Sequence, residues 1–188
     1  LPHLKFLDDD TSIDQWINEW SSAFDVERVT KRFYTDYQDL HDLFRQKLEG
    51  VKGENERKWL ASVVLNRLMF VYFLQKKGFL ADGEMDYLEC KLKDSKKAGK
   101  DKFYQSFLTL LFFEGFAKPE SKRSKAANAV LGKIAYLNGG LFLPHPLEQA
   151  ADTAGKPINL PDKVFTKAFE FFASFSWNLN DTPGGQDN

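Results

Sequence analysis

The chain has 188 residues, 43% of them hydrophobic and 18 of them Phe, which is enough to build one sizeable core without covalent staples. A net charge of −1 excludes a globally basic nucleic-acid binder but leaves room for local basic patches. Cys90 is the only cysteine, which excludes an internal disulfide and a cysteine zinc cluster and points to a reducing, cytoplasmic location.

No run approaches the roughly 18 uninterrupted apolar residues of a membrane span, so no membrane partner is expected. Leu1 is not an initiator, no signal-peptide pattern follows it, and the chain stops in the turn-rich NDTPGGQDN. The expectation is an internal segment of a longer protein.

In chain order, TSIDQWINEWSSA (11–23) places Ile13, Trp16, Ile17 and Trp20 at helical spacing, with Ser12 as N-cap and Gln15 at the capping-box position. A second, long helix is expected from Asp25 to a stop at Gly50. Val26, Val29, Phe33, Tyr37, Leu40, Phe44 and Leu48 share its apolar stripe. Arg28, Lys31, Arg32, Asp36, Asp39 and Asp42 lie opposite. From Leu60 to Leu74 the next helix is apolar nearly all round, which predicts a central helix covered by its neighbours. Asn66 and Arg67 inside it must then find partners, because a buried amide or guanidinium without hydrogen bonds costs several kcal/mol. Gly78 supplies a C′ stop after Lys76 and Lys77.

Two lysine-rich stretches, read as loops, follow: KLKDSKKAGKDK (91–102) with charge +4 and KPESKRSK (118–125) with +3. Between them KFYQSFLTLLFFEGF reads as a buried helix through Phe103, Phe107, Leu110, Leu111 and Phe113. GKIAYLNGGLFLPH holds short extended pieces about an Asn-Gly turn. Lastly, LPDKVFTKAFEFFASFSW starts a helix at Pro161 and Asp162, with Val164, Phe165, Ala168, Phe169, Phe172 and Phe175 facing the core. No internal repeat is visible. The expected class is mainly α: a multi-helix bundle with a buried central helix and a short β-like hairpin at Asn138-Gly139-Gly140.

Signals for chemistry are sparse. YLNGGLF has neither the GxGxxG nor the GxxxxGK[ST] spacing of a phosphate-binding loop, and Pro144 and Pro146 argue against a helix directly after it. Asn138-Gly139 is instead a hairpin signal. Glu89-Cys90-Lys91 matches half of a metal-dependent nuclease site, with only Asp82 and Asp86 near enough to complete it. Because MDYLECKL reads as a short helix, Glu89 and Lys91 are assigned to a solvated face. His3, His41 and His145 are scattered without ligand spacing, and His41 is placed on the surface. Cys90 has no His nearby in sequence, and Asp8-Asp9-Asp10 lacks the spacing of a calcium loop. No catalytic residue and no metal site is assigned. The DNA-backbone candidates are Arg28, Lys31, Arg32, Lys76, Lys77, Lys122, Arg123 and Lys125, since lysines and arginines neutralise phosphates without reading sequence. Asn66, Arg67, Asn138, Gly139 and Gly140 are the structural signature.

RVTKRFYTDYQDLHDLF (28–44), ERKWLASVVLNRLMFVYFLQKKGFL (56–80), YLNGGLF (136–142), PDKVFTKAFEFFASFSWNL (161–179) and the terminal DTPGG occur in that order. Together they resemble the helical connector that precedes the methyltransferase domain in type IIG and Eco57I-like restriction-modification adenine-specific DNA methyltransferases, a group with relatives in phage defence. The chain is divided into an N-terminal arm or helix over 1–24, a helical connector domain over 25–180, and a linker over 181–188 toward the methyltransferase domain that the resemblance implies. It also implies DNA and the neighbouring nuclease and methyltransferase domains as partners. S-adenosylmethionine would be bound by the parent protein, with Mg where a nuclease domain is present, and no cofactor by this segment. The family's cofactor loop and NPPY motif are absent from these residues, so no catalytic role is carried over. The alternative is a stand-alone helical DNA-binding or protein-interaction module.

Overall fold

The computed structural model describes residues 13–137 and 139–177, with side chains from Val26 onward. It is mainly helical, and among the described residues no strand forms. Helix α1 runs Ile13–Lys47 without interruption, where two helices broken at Asp25 were expected. No Gly or Pro occurs between Ile13 and Lys47, and Asp is only a mildly unfavourable interior residue. The chain groups into two compact units, one through Gln38 and one from Asp39. In the first, Phe33 and Tyr37 stack with ring centres 6.1 Å apart, while Val26 and Val29 are exposed. Only Leu40, Phe44 and Leu48, in the second unit, continue the predicted stripe as buried residues.

The second unit is built on α2 (Glu54–Lys76), α3 (Tyr87–Ala98), α4 (Lys125–Leu131), α5 (Pro146–Thr153) and α6 (Asp162–Ala173). Between α3 and α4 the chain is helical from Phe103 to Phe116, with π-type turns at Tyr104–Leu108 and Leu111–Phe116. Two of the predicted stops hold. Gly50 takes φ +89°, and a Cβ there would sit 2.8 Å from the Lys156 carbonyl oxygen, so both conformation and space require glycine. Gly78, at φ +72°, donates to the Gln75 carbonyl while Phe79 donates to Leu74, the paired bonds of a Schellman ending.

The core is aromatic. Phe103 lies 5.2 Å from Phe107, 5.1 Å from Phe165 and 6.1 Å from Phe169, ring centre to ring centre. Tyr72 of α2 closes the far side against Phe172 at 5.1 Å. An interlocked pair of aspartates joins the start of the π-containing segment to α6. The Asp162 carboxylate accepts from the Asp101 and Phe103 amides at 3.0 and 3.1 Å, while Asp101 Oδ1 accepts from the Asp162 amide at 2.9 Å. Asp162 therefore caps the neighbouring helix rather than its own.

Three expectations are corrected. The lysine-rich stretch 91–98 is not a loop but the body of α3, because Leu88, Leu92 and Ser95 recur at helical spacing and are buried. Pro146 does not prevent a helix after YLNGGLF: it is the first helical residue of α5, where a missing N–H costs nothing and its fixed φ is favourable. The β-like hairpin at 138–140 does not form. Gly139 is extended and Gly140–Phe142 is a single 3₁₀ turn. The isolated bridges among the described residues join Glu49 to Asn159 and Leu80 to Ile134 instead.

Helix α2 is also not covered all round. Leu60, Val64, Leu65, Leu68, Val71 and Tyr72 are buried, but Trp59, Asn66 and Phe70 face outward. Asn66 is exposed and needs no buried partner.

Candidate functional site

Arg67 is the most buried charge among the described residues of the second unit, 1% exposed on the inner face of α2. Its Nε donates to the Leu141 carbonyl and its Nη2 to the Leu143 carbonyl, both at 2.8 Å. Its Nη1 pairs with Glu148 Oε1 of α5 at 2.8 Å. The guanidinium carbon also lies 5.4 and 5.2 Å from the ring centres of Phe112 and Phe113, within cation–π range.

Glu148 is equally engaged. Oε1 accepts from the Tyr104 hydroxyl at 3.0 Å, and Oε2 accepts from the His145 amide at 2.7 Å. The ring Nδ1 of His145 accepts from the Leu147 amide, completing a capping box at the start of α5. Burial, followed by the Glu148 carboxylate beside it, pushes the Tyr104 phenol well above its ordinary value, so it stays a donor at neutral pH. A buried ion pair survives the loss of hydration only when its remaining donors and acceptors are occupied, and this one has such partners on both sides. The loop 141–148 is thereby fixed to the middle of α2.

That arrangement explains YLNGGLF differently from a hairpin. The carbonyls of Leu141 and Leu143 turn inward to Arg67, and Leu137 donates to the Phe116 carbonyl at 2.9 Å. Asn138 lies outside the described residues. Gly139 and Gly140 are exposed, neither takes a positive φ, and a Cβ on either would meet nothing within 4 Å. Gly140→Ala is expected to change unfolding free energy by no more than about 0.5 kcal/mol, as for other unconstrained surface sites. Denaturant unfolding checks this, and a loss above about 2 kcal/mol would contradict the open geometry.

The fixed loop and the outer face of α2 together present an apolar surface. Trp59 is 65% exposed, Leu143 58%, Leu141 40% and Phe70 38%. Trp59 sits 6.1 Å from the His145 ring and Phe70 5.9 Å from Phe142, which places these side chains along one border.

The charged candidates are scattered. Arg28, Lys31 and Arg32 are exposed on α1 in the first unit, Lys31 beside Glu27 at 2.7 Å and Arg32 beside Asp36 at 3.5 Å. Lys76 is half-buried over the Tyr72 ring and donates to the Met85 carbonyl; Lys77 is exposed near Phe73. Lys122 and Lys125 are exposed. Arg123 is not. It is 8% exposed, its Nε donates to the carbonyls of Glu114 and Lys118, and its Nη2 donates to those of Gly115 and Ile134. Carbonyls near a helix end are short of intrahelical donors, and this guanidinium adds donors to them. Arg123 belongs to the fold and is out of reach of a phosphate.

Glu89 and Lys91 are less solvated than expected. Glu89 accepts from the buried Gln75 amide at 2.8 Å, and Lys91 donates to the Val130 carbonyl at 2.6 Å. Gln75 also accepts from the Leu88 amide, which ties α2 to the start of α3. His41 Nε2 lies 3.1 Å from the Lys58 carbonyl oxygen and 3.0 Å from Ser62 Oγ. Cys90 is bonded to the Asp86 carboxylate, which with burial raises its thiol pKa and disfavours the thiolate. His3 and Asp8–Asp10 fall outside the described residues. Among the described residues no cluster of His, Cys, Asp or Glu could hold a metal ion, and no helix is long and apolar enough to cross a membrane.

Sequence reasoning flagged Arg67 but missed Glu148, Tyr104, Gln75 and the Asp101–Asp162 pair. Only Glu148 carried a local signal, since it stands three residues after His145 with Pro146 between, the spacing of a capping box.

No known protein family matches the chain, and no solved structure does. The chain is similar to a protein of Methanocaldococcus jannaschii described as a candidate type II restriction enzyme and methyltransferase, with 27% identity over 138 residues, 72% of this chain. The match spans 11% of that relative's length. The chain is thus similar in sequence to one segment of that candidate restriction enzyme and methyltransferase.

Proposed function

We propose that this chain is the helical connector preceding the methyltransferase domain of a type IIG, Eco57I-like adenine-specific DNA methyltransferase, and that it orients the catalytic domains on DNA. In this reading the parent protein binds S-adenosylmethionine, and Mg where it also cleaves. This segment supplies rigidity and contact surface. The supporting observation is the coupling of an exposed apolar surface to a loop pinned by Arg67. The Trp59, Phe70, Leu141 and Leu143 side chains would be costly to leave in water unless another surface covers them. The relative to which the chain is similar carries about nine-tenths of its length elsewhere. The assigned occupant is therefore the methyltransferase domain of the same polypeptide.

Trp59→Arg combined with Leu143→Glu in the full-length protein tests this. Both positions are exposed, so the melting of this region should hold. Loss of an aromatic anchor at an interface is worth about 2 kcal/mol, or roughly thirtyfold. Methyl transfer from labelled S-adenosylmethionine to duplex DNA should fall by about that factor. Full methylation by the double variant would reject the docking surface, and absence of any methyl transfer by the parent protein would reject the enzyme reading itself.

A further inference from the structure

The expected DNA contacts on the second lysine-rich stretch are weakened by the burial of Arg123, but a different basic surface emerges where α3 meets α6. Lys96 and Lys97 are exposed in the last turn of α3, and Lys100 is exposed in the turn that follows Gly99. Lys163 and Lys167 are exposed at i and i+4 on α6. Lys96 Nζ donates to Thr166 Oγ1 at 3.1 Å, and Thr166 lies between those two lysines, so the helices meet along this line. The turn carrying Lys100 and Lys102 is held by the reciprocal Asp101–Asp162 bonds, which place it at the start of α6 beside Lys163. Asp101 and Asp162 spend their carboxylates inward on backbone amides. The exposed carboxylates nearby are Asp94, paired with Lys97, and Glu170, paired with Lys167.

We propose that these six lysines form a contact surface for the phosphate backbone of duplex DNA. The inference rests on the reading of the parent protein as a DNA-modifying enzyme, and it names the face that meets the substrate. Three features favour a phosphate backbone over a protein partner. The groups are ammonium ions on flexible stems, suited to point-charge contact rather than to shape-specific recognition. No large apolar residue among the exposed ones falls on α6 or on the 96–102 segment, so no hydrophobic anchor accompanies them. And a chain of net charge −1 has concentrated positive charge on the end of α3, the turn after it and the adjoining α6, whose relative position is held by hydrogen bonds. Contact of this kind is independent of sequence and acts by releasing counterions.

The test uses the full-length protein and a fluorescent duplex lacking any recognition site, titrated over a series of KCl concentrations. Neutralising Lys97, Lys100 and Lys163 together to Gln should reduce the slope of log affinity against log salt by about 2.7, if each touches one phosphate. The Lys→Arg triple at the same positions should retain the parent slope, and Lys31, Lys122 and Lys125 changed together to Gln should leave it unaltered. An unchanged slope in the first triple, with melting preserved, overturns the surface. Loss of slope in both Gln triples overturns its localisation. A parent protein that binds no duplex fails the DNA reading as well, and preferential binding of single-stranded RNA would overturn the assignment to duplex DNA.

Discussion

Arg67→Met in the full-length protein is expected to destabilise the second unit by about 3–5 kcal/mol, the usual result of removing one partner from a buried ion pair. Three losses coincide. The Glu148 carboxylate keeps its burial but loses its counter-charge, and the carbonyls of Leu141 and Leu143 lose their donors. Native-state hydrogen exchange at the amides of Leu68 and Val71 reads the effect, since each 1.4 kcal/mol is tenfold in the opening equilibrium. Lysine should restore little, because one ammonium cannot replace three diverging N–H groups directed at separate acceptors. Adding Glu148→Gln to Arg67→Met should recover part of the loss, as the uncharged amide can still accept from the His145 amide through its oxygen and donate through its NH2 to the Tyr104 hydroxyl oxygen. A coupling of about 1–3 kcal/mol is expected for such neighbours, and strict additivity would show that the pair does not act as a unit.

Phe165→Ala should cost a comparable amount, about 3–5 kcal/mol, through an unfilled cavity. The ring is fully buried where three elements meet. Its centre lies 5.1 Å from Phe103, 5.9 Å from Phe44 and 6.3 Å from Tyr104. Because Phe103 also carries the amide held by Asp162, collapse into the cavity is opposed by a hydrogen bond as well as by packing. Phe79, 66% exposed, is the matched control, and Phe79→Ala should stay within about 0.5 kcal/mol of the parent. Equal losses at both positions would contradict this core.

How legible these features were in the sequence depended on the range over which each is decided. Helix α6 announced itself through Pro161 and Asp162 followed by Phe residues at helical spacing, and it forms through Ala173, leaving Phe175 beyond its end and half-buried. The Gly50 and Gly78 stops were legible for the same reason, since left-handed backbone is a local demand. The presence of α2 was legible but its sidedness was not. Trp59 and Phe70 are apolar whether they face a core or a surface awaiting another domain, and periodicity cannot separate the two. MDYLECKL was legible as a short helix, but the lysine run hid its continuation to Ala98, because the one buried side chain there is Ser95 and carries no apolar signal. Arg123 resembled its exposed neighbours in composition, yet its guanidinium is held inside by carbonyls in the last turn of the preceding helix.

The Asn-Gly-Gly stretch misled for a related reason. Turn chemistry predicts what a short segment does unaided, and here its backbone acceptors were claimed by a residue 74 and 76 positions earlier. The node at Arg67 was half legible. That an arginine amid apolar residues needs partners followed from electrostatics, but nothing nearby in sequence could identify Glu148.

That separation has a bearing on how the protein is made. Arg67 precedes Glu148 by 81 residues, and a ribosome adding 5–20 residues per second takes about 4–16 s to bridge such a gap. Throughout that interval the emerging α2 carries a cation that cannot enter a dry interior. The nascent chain is therefore expected to resist collapse around its greasiest helix until the acceptor that neutralises it has been translated, and ribosome-arrested chains ending before Glu148 should leave α2 open to protease.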